Sequence, residues 1–128
     1  MFNGPAKSIF SEYLGDGLVH AMELTREYED DPVLSTLAKV MEHMGELSKS
    51  TNFELGYIQH KKHAMYGTQP IFEIADVINT LMGLLSQLYP DKSTDDLAKE
   101  LRDAIEWKLC TYKRHHEEDT VCEVKAIK

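Results

Sequence analysis

Between Pro70 and Pro90 the chain carries an apolar run at helical spacing, and two acids stand inside it. Ile71, Ile74, Ala75, Ile78, Leu81, Met82, Leu85 and Leu88 recur at intervals of three and four, the period of one helix face. Phe72, Val77 and Leu84 widen that stripe nearly all round, which predicts a central, deeply buried helix ending at Tyr89-Pro90. Glu73 and Asp76 sit near its start, one turn apart. A buried carboxylate is costly unless something pairs it, so these acids either face solvent or meet a cation.

A second helix carries a matching set. Asp30 and Asp31 before Pro32 read as an N-cap followed by proline at the first helical position, and Val33, Leu34, Leu37, Val40, Met41, Met44 and Leu47 then mark a helix to about Lys49 or Ser50. Glu42, His43 and Glu46 lie within it, and the pairs Glu42–Glu46 and His43–Glu46 each share a face. The stretch from Pro5 to Tyr28 is helical in tone, with Gly15 and Gly17 implying two short helices or one kinked one. Residues Thr51 to Gln69 read as a loop with room for a short helix. Ser93 and Thr94 before Asp95 and Asp96 cap a last helix, with Leu97, Leu101, Ala104, Ile105, Leu109 and Tyr112 directed inward and a basic end. The tail from Glu117 reads as a short strand or as disordered. The expected fold is all-α, a four- to five-helix bundle in a single domain over residues 1–128, with its core about 32–114.

Bulk properties narrow the function. The formal charge of −8 over 128 residues argues against a nucleic-acid partner, which requires a basic face. Glu73, Asp76 and Asn79 make the longest apolar stretch too polar to span a membrane. The first residues lack the basic run and apolar core of a secretory leader. Cys110 and Cys122 show no metal spacing and are expected as free thiols in a reducing, cytoplasmic setting.

Acids on helices ordinarily face solvent, or pair with cations such as Lys39, Lys49 or Arg102. Two sets on two apolar helices suggest instead a shared pocket for a hard divalent ion, because carboxylate oxygens suit magnesium or manganese.

The runs Lys39-Val40-Met41-Glu42-His43-Met44-Gly45-Glu46-Leu47-Ser48 and Phe72-Glu73-Ile74-Ala75-Asp76-Val77 resemble the MazG-type all-α nucleoside triphosphate pyrophosphohydrolases, a superfamily that includes dimeric dUTPases and dCTP pyrophosphatases. The likeness covers both acidic helices and extends loosely from Pro32 to Arg114. It implies hydrolysis at the α-phosphorus to a monophosphate and pyrophosphate with Mg2+ or Mn2+, in nucleotide-pool control, by a homodimer or homotetramer. Carried over by position, Glu46, Glu73 and Asp76 are metal ligands. His43 stands where the family usually has glutamate. Three readings follow: His43 is itself a ligand, Glu42 reaches in as ligand or water-orienting base, or the site is weakened and the chain is a nucleotide-binding or assembly module. The related phosphoribosyl-ATP pyrophosphohydrolases are a further alternative, although nothing here points to their specialised substrate.

Asn79, one turn after Asp76, is a candidate for a sugar or base edge, with a structural amide as the plain reading. Lys61, Lys62, Lys108 and Arg114 are candidates for phosphate, against simple surface solubility. Phe53, Tyr57, Tyr66 and Trp107 are candidate stacking partners that serve equally well as core or interface.

Overall fold

The computed structural model describes residues 4–56, 69–117 and 122, with side chains described from Asp16 onward. The fold is all-α. Four helices follow in order: α1 (Gly4–Tyr28), α2 (Val33–Glu54), α3 (Pro70–Leu88) and α4 (Thr94–His116), and no strand occurs among the described residues. The chain groups into two compact units, one of residues 20–90 and the other of residues 1–19 and 91–128.

Local chemistry explains most helix ends. Pro70 opens α3 at its first turn, where a missing N–H costs nothing. Ser93 caps α4, its hydroxyl accepting from the Asp96 N–H at 3.1 Å, and Asp95 and Asp96 complement the helix dipole there. α2 runs a turn further than its apolar pattern suggests and stops before Gly56, whose φ of 80° is left-handed backbone that favours glycine. One expectation needs correction, and one left open is decided. Pro32 is itself the N-cap of α2, and Asp31 bonds Lys39 at 2.7 Å instead of capping the helix. α1 is one helix through Gly15 and Gly17, since isolated glycines lower helix stability without ending a helix.

Within residues 20–90, α2 and α3 pack together. They run antiparallel: the Gln87 amide near the end of α3 donates to the Asp31 carbonyl before α2, whereas His43 lies beside Glu73 and Asp76 near the start of α3. The end of α1 is tied to the end of α3. Arg26 Nη2 donates to the Ser86 and Tyr89 carbonyls at 3.3 and 3.0 Å, serving acceptors that the last turn of a helix leaves without intrahelical donors.

The buried residues differ from those the periodicity picks out. α2 buries Thr36 and Ser50, and α3 buries Glu73, Val77, Met82, Gly83 and Ser86. Leu34, Leu37, Met41 and Met44 form an exposed stripe on α2, and Ile71, Ile74, Ile78 and Leu81 form another on α3. Leu34 and Ile71 are 78% and 70% exposed, although α3 carries more buried residues than α2 or α4, as expected of the most buried helix. By length and mean hydropathy of 1.3, α3 also falls in the range of membrane-crossing helices, so its polar residues do not by themselves place it outside that class. On α4, Leu97 is buried, while Ile105, Leu109 and Tyr112, expected to face inward, are exposed.

Cys110 and Cys122 form a disulfide across a sequence separation of 12, which corrects the free-thiol expectation. Spacing alone could not reveal this contact, because it depends on where Cys122 is placed in three dimensions.

Gly83 of α3 lies close against Thr25 of α1. A Cβ at that position would lie 2.7 Å from Thr25 Oγ1, which donates to the Ala21 carbonyl at 3.1 Å. Gly83→Ala is expected to destabilise the protein by about 1–3 kcal/mol through overpacking. Thermal unfolding of Gly83→Ala and of Thr25→Ala/Gly83→Ala checks this, with the double variant recovering part of the loss.

Candidate metal centre

Antiparallel packing brings the acidic turn of α3 against the middle of α2. One ligand atom each from His43, Glu73 and Asp76 lies within 4.8 Å of the other two, close enough for the three to share one cation. Helical spacing sets the placement: Glu73 and Asp76 are one turn apart on α3, and His43 lies on the face of α2 that also carries buried Thr36 and Ser50.

Glu73 is the most constrained member. It is only 6% exposed, and its buried Oε2 has no hydrogen-bond partner among the described residues. Its carboxyl is pushed above the usual glutamate range, first by burial and then by the neighbouring Glu46 and Asp76 charges, with His43 acting in the opposite direction. Buried His43 Nδ1 likewise has no hydrogen-bond partner; its closest acid, Glu46 Oε2, stands 3.7 Å away, beyond hydrogen-bond reach.

Among the described residues, salt bridges do not supply the compensation. Lys39 is held by Asp31 and Glu29, and Arg102 approaches Asp103. Among the described residues no lysine or arginine pairs with Glu46, Glu73 or Asp76. A group of acids that leaves a buried oxygen unpartnered, with an imidazole among them, has the donor set of a divalent metal site.

The other candidates are placed as follows. Glu46 is exposed at the edge of the cluster, near enough to act electrostatically on Glu73, but it is not one of the three converging ligands. Glu42 is exposed and also lies outside the converging group. Asn79 lines a cavity of about 340 Å³ that opens beside His43, together with Thr36, Lys39 and Thr80. The participation of Lys39 and the threonines in this wall was missed by motif reading; their positions one or two turns from His43 and Asp76 are the signal that would have found them. Lys108 and Arg114 are exposed on α4, in the other compact unit, and Lys108 Nζ lies 5.1 Å from the Trp107 ring centre. Lys61, Lys62, Tyr57 and Tyr66 fall outside the described residues. Phe53 is half-buried near the end of α2.

No family model, curated protein or solved structure matches the chain.

The raised Glu73 pKa has a definite consequence for the metal-free protein. The folded state holds the Glu73 proton more tightly than the unfolded state, so this contribution to stability is fully present below the ordinary value of about 4.5. It is lost as pH rises through the folded-state value. Metal-free Glu73→Gln is therefore expected to be more stable than wild type at neutral pH, with the difference closing under acid. Denaturant titrations of both proteins across that range measure it, and an unchanged difference would contradict the assignment.

Proposed function

We propose that this protein is a metal-dependent pyrophosphohydrolase of a nucleoside or deoxynucleoside triphosphate. The observation that carries the reading is the convergence of His43, Glu73 and Asp76, with the Glu73 carboxylate buried and lacking a cationic partner among the described residues. The sequence around these residues, with its resemblance to the MazG-type enzymes, supports the choice of reaction.

His43, Glu73 and Asp76 would hold the cation, with Glu46 beside them. A bound divalent ion supplies Lewis-acid stabilisation of the charge that builds on the departing pyrophosphate. Water oxygen forms a bond to the α-phosphorus as the bond from that phosphorus to the bridging oxygen breaks. Glu46, accessible at the cluster edge, orients the water and takes its proton, which passes on to solvent. Glu42, one turn earlier and exposed, is the alternative base. The cavity beside His43 receives the nucleoside, where Asn79 can bond a sugar or base edge.

We further propose a homodimer or homotetramer acting in the cytoplasm, without a nucleic-acid or membrane partner. Two exposed apolar stripes on adjacent helices support association with a second copy, because apolar surface gains by leaving water. The net charge of −8 supports the absence of nucleic acid.

Incubation with a panel of nucleoside triphosphates and divalent ions, scoring pyrophosphate, tests the activity. Turnover of at least one substrate is expected, together with a loss of about a hundredfold or more in Glu73→Ala, from removal of a metal ligand. Unchanged activity in Glu73→Ala would refute the site. Light scattering after size exclusion tests assembly: wild type is expected above the monomer mass, and Met41→Lys/Ile78→Lys is expected to shift toward monomer.

A further inference from the structure

We propose that this centre selects a first-row transition-metal ion over magnesium, and that His43 is the residue that imposes the selection. The inference rests on the metal-site reading above and deepens it by naming the class of ion. It stands on the composition and burial of the cluster.

The three converging groups are two carboxylates and one imidazole. Magnesium is a hard ion that prefers oxygen donors in near-ideal octahedral geometry and gives up its waters reluctantly. Imidazole nitrogen suits the later divalent ions, whose affinity for nitrogen donors rises along the first row. An imidazole in this cluster therefore gives magnesium little and an ion such as cobalt(II) or zinc much more. The surroundings point the same way. His43 Nδ1 is buried without a hydrogen-bond partner, so no acceptor diverts it. Glu46 Oε2 stands 3.7 Å from the same nitrogen, too far to accept its hydrogen bond, and adds negative charge that favours a cation beside the ring. The oxygen donors come from Glu73, whose buried Oε2 is unpartnered, and Asp76, whose position one turn later directs it to the same cluster. A site with this mixed donor set still binds an ion bearing waters and phosphate oxygens, but it discriminates through its single nitrogen.

The test titrates metal-stripped full-length protein with cobalt(II) alone and with magnesium alone by calorimetry, and records the visible spectrum of the cobalt form. Cobalt(II) is expected to bind at least about tenfold more tightly than magnesium. His43→Gln is expected to lose about tenfold or more of the cobalt affinity, to shift the cobalt spectrum, and to change magnesium affinity little. His43→Glu is expected to raise magnesium affinity and abolish the preference. Circular dichroism of both variants reports helicity, and because the two variants predict opposite changes for magnesium, a common folding defect cannot imitate the pattern. Glu73→Ala should lose the binding of both ions, which assigns the signal to this centre. Equal binding of cobalt and magnesium in wild type, or an unaltered cobalt spectrum in His43→Gln, overturns the selection by His43 while the metal centre stands. Failure of wild type to bind either ion overturns both the selection and the centre.

Discussion

The burial of the Glu73 carboxylate between α2 and α3 is the constraint from which the site follows. A carboxylate leaving water without a partner loses more than a typical net hydrogen bond returns, and its protonation is the inexpensive escape. Glu73 shows that tendency in its raised pKa and unpartnered Oε2. His43 and Asp76 surround it with further donors where a cation would relieve the cost. A helix pair built only for stability would place apolar residues at these positions.

The α2–α3 seam is unusually polar. Thr36, Ser50, Glu73 and Ser86 are buried, while the regular apolar stripes of both helices face outward. Ser86 satisfies its hydroxyl by donating to the Gly83 carbonyl at 2.7 Å, and Gly83 lets α1 approach through Thr25. Close backbone approach and a local hydroxyl bond therefore act in the second half of α3, two to three turns from the charged cluster. Val77 and Met82 are buried on α3, while the exposed apolar stripes are the surface that another copy of the chain would cover under the proposed assembly.

Much of this was legible in the sequence. Proline at the start of α3, Ser93 before α4, and apolar spacing throughout identify the helices, because capping and periodicity act over a few residues. Glu73, Asp76 and His43 stand out as polar groups within apolar helices. Glu46 is the instructive case. Its motif position implies a metal ligand, but the structure leaves it at the cluster edge and brings His43 inward. Helical phase near the seam separates these neighbours, and an error of one residue in phase, about 100°, moves a side chain off the contact face.

Short-range chemistry in the sequence therefore determined the all-α class, most helix limits and the residue types available to a metal. Tertiary structure alone decided which face of each helix is buried, which acid remains unpartnered, and that Cys110 meets Cys122. Periodicity reports that a helix has an apolar face, and that face is equally consistent with packing inside one chain or against another. Only the antiparallel pairing of α2 with α3 selects the polar face of α2 for burial and brings His43 to Glu73 and Asp76.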